Sequence, residues 1–110
     1  MNQLQQTNAE AAAFRHLLKH LDANKDVQNI DLMILADFCR NCLAKWYMAA
    51  AKDQGAEMDY DQAREAVYGM PFSEWKDKYQ LPATAEQMAG FEARQEAKKA
   101  ATEPSTSGCQ

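Results

Sequence analysis

The sequence predicts an all-α protein with four to five helices arranged around one long central helix. Ala, Gln, Glu, Lys, Leu and Met, which favour helices, are abundant, whereas the 110 residues include only four Gly and three Pro. Apolar residues recur at helical spacing, and no segment alternates in the way that a half-buried strand does. We therefore expect one helical domain over residues 1–101 and a disordered tail of linker composition over 102–110.

The first predicted helix covers residues 9–22. Its apolar residues share one face at the spacing of a helix: Phe14, Leu17, Leu18 and Leu21. Residues 24–26 read as a polar turn, and Asn29 is suited to cap the helix that follows.

The second predicted helix runs without interruption from Ile30 to about Gln54, where Gly55 is a natural stop. At 1.5 Å per residue it would be roughly 37 Å long. Because a domain of this size has a radius of gyration of only about 13 Å, such a helix must cross the whole molecule or protrude from it. It is therefore the central helix of the fold or an assembly helix.

Three shorter helices are predicted in the second half of the chain. Asp59 or Asp61 caps the third, which Gly69 and Pro71 end. The fourth runs from Pro71 to Tyr79 and places three aromatic residues on one face: Phe72, Trp75 and Tyr79. Thr84 and Gln87 form a capping-box pattern for the last helix, which carries Met88 and Phe91.

Composition limits the partners. The chain has 16 acidic and 12 basic side chains, so a grip on a phosphate backbone is not expected and nucleic acid is excluded as the main partner. No apolar run approaches the roughly 20 residues that span a bilayer, and the start of the chain lacks an export signal, so we expect a cytoplasmic protein with no membrane association. A core of this size leaves apolar surface exposed, which favours a homo-oligomer or an additional protein partner.

Cys39 and Cys42 are the most informative residues, and packing is the interpretation that the sequence favours. They lie on an apolar seam of the predicted second helix whose members alternate three and four apart: Leu32, Leu35, Cys39, Cys42, Trp46 and Ala49. Since a buried Cys behaves as a small hydrophobe, the pair would let a neighbouring helix approach closely. The residues expected at an interface or in packing are Leu32, Leu35, Trp46 and Trp75.

The sequence supports a thiol-redox role for the pair less strongly than it supports packing. A redox Cys pair normally opens a helix, where the helix dipole lowers the thiol pKa, but about two helical turns are predicted to precede Cys39. Helical neighbours three apart also hold their Cβ atoms about 5 to 6 Å apart, farther than the roughly 3.5 to 4.5 Å of a disulfide.

Metal binding by Cys39 and Cys42 is the third interpretation, and zinc is the metal that the pair would take. Zinc usually needs four ligands, so two more must come from His16, His20, Cys109 or a second subunit. His16 and His20 lie off the apolar face of the first helix, where solvated side chains are expected. No other cofactor is expected.

The sequence shows no catalytic constellation. Its carboxylates are explained by helix caps and solvated faces, and it carries no phosphate loop, nucleophile elbow or metalloprotease helix. We therefore predict no catalytic residue, and the sequence favours a protein that is not an enzyme.

Several strings resemble one known family. They are residues 27–33, 38–43, 45–47, 63–71 and 74–75, within a match over roughly residues 10–91. Together they resemble the bacterial domain-of-unknown-function family 1244, and the resemblance implies a small, multihelical, cytosolic protein that self-associates, with no established activity. Where the central helix of that family carries an asparagine and a glycine, this chain has Ile34 and Asp37.

Two functional hypotheses follow. The first is a helical interaction module that self-assembles through the second predicted helix and the aromatic fourth helix, with Cys39 and Cys42 packed as thiols. The second is a zinc-binding or thiol-redox protein that uses Cys39 and Cys42, with Cys109 or a second subunit completing the site.

Overall fold

The computed structural model describes residues 1–100; the predicted tail and Cys109 lie outside the described residues. Regular structure within residues 1–100 is entirely helical, which confirms the all-α prediction. The six helices are α1 (Gln3–Asp22), α2 (Asn29–Ala36), α3 (Arg40–Asp53), α4 (Tyr60–Tyr68), α5 (Phe72–Tyr79) and α6 (Ala85–Ala100).

The prediction of one uninterrupted helix from Ile30 to Gln54 is wrong. Asp37 ends α2 in the left-handed conformation, with φ 59° and its N–H donating to the carbonyl of Met33. Cys39 is extended, with φ −143°, and is the N-cap of α3. Asp is one of the few residues other than Gly that tolerates the left-handed conformation. The ammonium of Lys98 in α6 also lies 3.0 Å from an oxygen of Asp37. This ion pair with another helix further stabilises the break.

The break changes which side chains of this segment face the core. On one continuous helix, Leu35 would share the seam of Cys39 and Cys42. Instead Leu35 is 77% exposed, whereas both cysteines are fully buried. The apolar spacing of the sequence is therefore continuous although the helix is not.

The core lies where α3 and α4 pack together, with α5 and the C-terminal half of α1 against them. Its buried members come from four helices: Leu21, Leu43, Ala44, Ala63, Val67, Tyr68 and Trp75. A second, smaller cluster of Met33, Cys39 and Cys42 lies under α6, which packs against α2. Phe91 of α6 covers these three residues, which we call the cysteine cluster. Within the cluster Cys39 is a free thiol, whereas Cys42 is disulfide-bonded.

Local capping explains several helix ends. Asp59 and Gln62 form a capping box at the start of α4, and Gly69 ends that helix at φ 75°. The predicted Thr84 and Gln87 pair is confirmed, because each side chain accepts a hydrogen bond from the other's backbone N–H, at 2.8 and 3.0 Å. The first helix begins earlier than predicted, at Gln3, because Asn2 caps it.

The long helices at the two ends of the described chain bury little surface. α1 has one buried residue, Leu21, and α6 has none. Across residues 1–100 no helix combines the length and the apolar character needed to cross a membrane.

The left-handed residue at the break generates a prediction. Replacing Asp37 by Ala removes both the tolerated left-handed residue and the ion pair, so the free energy of unfolding should fall by about 1–2 kcal/mol. Replacing it by Gly should cost less than about 1 kcal/mol, because Gly adopts this conformation freely. Urea unfolding followed by circular dichroism measures both values.

Lys98→Ala is the matched control, because it removes the same ion pair without changing the backbone at the break. Asp37→Ala should be the more harmful of the two. If Asp37→Ala stabilised the protein, as Ala does in a helix interior, the segment would form one helix in solution and the break would be wrong.

Candidate functional site

The break places the two cysteines in the first turn of α3. Cys39 is the N-cap and Cys42 is the third residue of the helix, the spacing at which a Cys pair opens a helix. The expectation that two helical turns precede Cys39 is therefore wrong, and so is the conclusion that the pair lacks the helix dipole. The positive end of the dipole favours the thiolate of a cysteine at this position.

Burial acts against that effect. Both cysteines are fully buried, and burial raises the pKa of the Cys39 thiol. The backbone amides of Cys42 and Asn41 act in the opposite direction, as do the charges of Arg40 and Lys45, but the shift remains upward. Cys39 is thus a protonated thiol at neutral pH, which is a poor nucleophile and a poor metal ligand.

Metal ligands do not gather around the pair in the described part of the chain. No group of three or more His, Cys, Asp or Glu side chains within residues 1–100 is placed to hold a metal ion. His16 and His20 are exposed on α1. Cys109, the remaining predicted ligand, lies outside the described residues.

The four residues predicted at an interface or in packing fall into two groups. Trp75 is 1% exposed in the core, and Leu32 is partly buried against both clusters. Leu35 and Trp46 are instead 77% and 49% exposed. Trp75 and Leu32 therefore pack within the chain, whereas Leu35 and Trp46 are available at the surface.

Arg40, between the cysteines, is a buried cation. It is 2% exposed, and its guanidinium donates to the carbonyls of Val27 at 2.8 Å and Asn24 at 3.1 Å. The same group lies 5.0 Å from the centre of the Trp75 ring. No carboxylate of residues 1–100 forms an ion pair with it. Its charge is therefore balanced at close range by carbonyl oxygens and an aromatic face, with the charges of Asp26 and Asp22 acting from beyond ion-pair distance.

Three further polar side chains, all buried or partly buried, are connected to Arg40 by a series of hydrogen bonds. Arg40 Nη1 donates to Asn29 Oδ1 at 3.1 Å, and Asn29 Nδ2 donates to the Tyr68 hydroxyl at 3.0 Å. The Tyr68 hydroxyl in turn donates to Asn41 Oδ1 at 2.7 Å. We call Arg40, Asn29, Tyr68 and Asn41 the polar relay.

The donors of Arg40 fix the direction of every hydrogen bond in the polar relay. A guanidinium can only donate, so the Asn29 atom that faces it must be the oxygen. The Asn29 nitrogen then donates to the Tyr68 hydroxyl oxygen. The hydroxyl proton of Tyr68 is therefore available to donate to Asn41 Oδ1. The amide orientation of Asn41 follows, and its nitrogen points away from the relay.

The polar relay was not predicted from the sequence. The sequence assigns Asn29 a capping role only. The signal that could have found it is a charged residue followed by Asn inside an otherwise apolar stretch. Such a residue must find hydrogen-bond partners if the stretch is buried.

Tyr68→Phe tests the polar relay. The change leaves one donor and one acceptor without a partner in the core, so the free energy of unfolding should fall by about 1–3 kcal/mol. Tyr47→Phe is the control, because the Tyr47 ring is more exposed, at 37%, and packs on Phe14. That variant should change stability by less than about 0.5 kcal/mol.

The same variant has a pH signature. Burial raises the pKa of Tyr68, so the folded protein holds this proton more tightly than the unfolded chain does. The resulting stability is present below the usual tyrosine pKa of about 10 and is lost as the pH rises above it. Tyr68→Phe should unfold with a shallower loss of stability above that pH. Equal slopes for the variant and the original protein would contradict the burial of this hydroxyl.

Thiol labelling tests the burial of Cys39. After reduction, Cys39 should react with iodoacetamide on the order of a thousandfold more slowly in native buffer than in urea, since reaction requires opening of the structure. Intact mass followed by peptide mapping locates the label. Complete labelling of native Cys39 within seconds would show that the thiol is accessible.

Comparison with known proteins supplies the family. No curated protein shows significant similarity to this chain. The sequence profile of one family, described as a protein of unknown function (DUF1244), matches residues 27–93. That match includes the break, both cysteines and all four residues of the polar relay, and it covers more than half of the 110 residues. The chain therefore belongs to the DUF1244 family of proteins of unknown function.

Proposed function

We propose that this protein is a small cytoplasmic assembly module whose copies associate through a surface patch formed by Leu35, Phe38 and Trp46. We call these three residues the Leu35 patch. The observation that supports the proposal is the exposure of Leu35 and Trp46 beside a stacked pair of rings. The Phe38 and Trp46 rings are 6.2 Å apart, with an angle of 22° between their planes.

The composition of the Leu35 patch is that of an interface centre. A single exposed leucine is ordinary on a protein surface, but an exposed tryptophan stacked on a phenylalanine is not. Trp is among the residues that contribute most to binding when a partner covers them. Leu35 lies in the last turn of α2, Phe38 lies in the break that follows it, and Trp46 of α3 stacks on Phe38.

A second copy of the chain is the partner that we propose. The commonest assembly of soluble proteins is a two-fold dimer, in which the same patch meets itself. The three side chains of the Leu35 patch are uncharged, so two copies can meet there without repulsion although each chain carries a formal charge of −4. The small core supports the same conclusion, because α1 and α6 together contribute only one buried residue.

The cysteines have a packing role in this proposal. Phe38 packs against the cysteine cluster of Met33, Cys39 and Cys42 on its inner side and against Trp46 on its outer side. Cys residues are small and apolar enough to let Phe38 and Phe91 approach this cluster closely. The cysteine cluster therefore supports Phe38 and, through it, the stacked Trp46 ring.

A second candidate function is thiol-disulfide chemistry or zinc binding by Cys39 and Cys42. The observation that favours it is their place in the first turn of α3, where the dipole stabilises a thiolate. Burial of both side chains opposes it. Zinc would also need ligands from beyond residues 1–100 or from a second copy of the chain.

Native mass spectra of protein purified without reductant or chelator test both candidates. Under the first proposal the spectrum should show a metal-free dimer. Leu35→Glu should convert it to a monomer, because two charges would be buried against each other at the two-fold axis. Light scattering after gel filtration provides the same measurement in solution.

Leu4→Glu is the matched control, because Leu4 is 69% exposed on α1 and undergoes the same chemical change. It should leave the dimer intact. A monomeric original protein would reject self-association. Bound zinc that disappears in a Cys39→Ser, Cys42→Ser double variant would favour the second candidate, as would a two-hydrogen mass loss confined to this pair.

A further inference from the structure

We propose that the cavity beside the polar relay binds a small carboxylate with an apolar body, and that Asn41 donates the hydrogen bond that recognises the carboxylate. The proposal goes beyond self-assembly and does not depend on it. It rests on the shape of the cavity, on the direction of the polar relay and on the charge of Arg40.

The cavity lies between α2, the start of α3 and the segment that joins α5 to α6. Its volume is about 330 Å³, within the range of small-molecule pockets. Apolar side chains form most of its wall: Ile30, Met33, Leu81, Pro82, Met88 and Phe91. Asn29 and Asn41 of the polar relay also line it. An apolar chamber with a few convergent polar groups is typical of a ligand site.

The wall of the cavity is held in place before any ligand arrives. Gln28 joins two of its sides, because its amide nitrogen donates to the carbonyl of Tyr79 at 3.1 Å and its amide oxygen accepts from the N–H of Leu81 at 2.8 Å. Gln87 of α6 donates to Asp31 of α2 at 2.9 Å on another side. A preformed site does not lose the free energy of ordering its walls on binding.

Asn41 presents a donor to this cavity. It is 8% exposed, and its oxygen already accepts from the Tyr68 hydroxyl. Within residues 1–100 its side-chain nitrogen donates to no acceptor. Turning the amide round would point its nitrogen at the Tyr68 hydroxyl, which already accepts from Asn29, and would leave the buried hydroxyl proton without its acceptor. The Asn41 nitrogen is therefore a donor that an acceptor group of a ligand can use in place of water.

The positive charge of Arg40 favours a ligand whose acceptor group is a carboxylate over one whose acceptor is neutral. The buried guanidinium of Arg40 lies on the far side of the relay and forms no ion pair with a carboxylate of the described chain. The carboxylates of Asp26 and Asp22 act on Arg40 only from beyond ion-pair distance. Asp31, which closes one side of the cavity, already accepts a hydrogen bond at each oxygen, one from Gln28 N and the other from Gln87 Nε2. An anionic acceptor at Asn41 would therefore compensate a buried positive charge, and a cation would meet it unfavourably.

The volume sets the size of the ligand. Since a water molecule occupies about 30 Å³ in the liquid, the cavity corresponds to about ten non-hydrogen atoms. Octanoate has this size and carries a carboxylate on an apolar chain, so it is a suitable probe. A ligand of about ten atoms in such a site is expected to bind with a dissociation constant on the order of a millimolar.

Titration with octanoate, followed by ¹H–¹⁵N correlation spectra of the full-length protein, tests the proposal. The side-chain amide signals of Asn41 and the backbone signals of cavity residues should shift saturably. Octylammonium, which matches octanoate in length but offers only donors, should bind at least about tenfold more weakly.

Two variants locate the site. Asn41→Asp keeps an oxygen for Tyr68 but removes the donor, so octanoate affinity should fall about tenfold or more. Ala83→Phe fills the edge of the cavity from an exposed position and should abolish binding, whereas Ala66→Phe, exposed on α4 away from the cavity, should leave it unchanged.

The proposal is overturned if octanoate produces no saturable shift. It is equally overturned if octylammonium binds as tightly, or if Ala83→Phe retains full affinity. If Asn41→Asp fails to fold, Ala83→Phe and the comparison of the two probes still decide the result.

Discussion

The burial of Arg40 without a partner carboxylate is the constraint on which much of this structure depends. A buried charge costs several kcal/mol unless hydrogen bonds replace its water, so each donor of the guanidinium must be satisfied by the protein. Two carbonyls of the segment between α1 and α2 meet this need, together with Asn29. The segment is thereby drawn onto the first turn of α3, and Trp75 of α5 covers the flat face of the guanidinium. Arg40 thus connects four parts of the fold: the segment between α1 and α2, the start of α2, the first turn of α3, and α5.

The same residue gives the polar relay its direction. A row of amides and hydroxyls can usually be reversed, because each member both donates and accepts. Here the first member can only donate, so Asn29, Tyr68 and Asn41 are all oriented by it. The consequence appears at the far end, where Asn41 offers a donor to an apolar cavity. An interaction that stabilises the fold therefore also determines which chemical group the cavity can recognise.

The sequence predicted the helices whose ends have strong local signals. Asp59, Gly69 and the Thr84 and Gln87 pair act as predicted because caps depend only on neighbouring residues. The break at Asp37 was missed because it has neither Gly nor Pro and because the apolar spacing continues across it. The polar relay was missed for a different reason, since its members are brought together from α2, α3 and α4 only by the fold.

The break also explains why the cysteine pair and the Leu35 patch occur together. The three residues between the helices, 37–39, give Cys39 the N-cap position, and Leu35 just before them is exposed. Phe38 lies in the break, packed against the buried cysteines on one side and against Trp46 on the other. The helix dipole would favour a thiolate at Cys39, but burial under Phe38 and Phe91 removes the water that a thiolate needs. Any event that uncovered Phe38 would therefore lower the cost of ionising the thiol. Covering Phe38 with a second copy would raise that cost, so dimer formation and thiol reactivity are expected to oppose each other at this break.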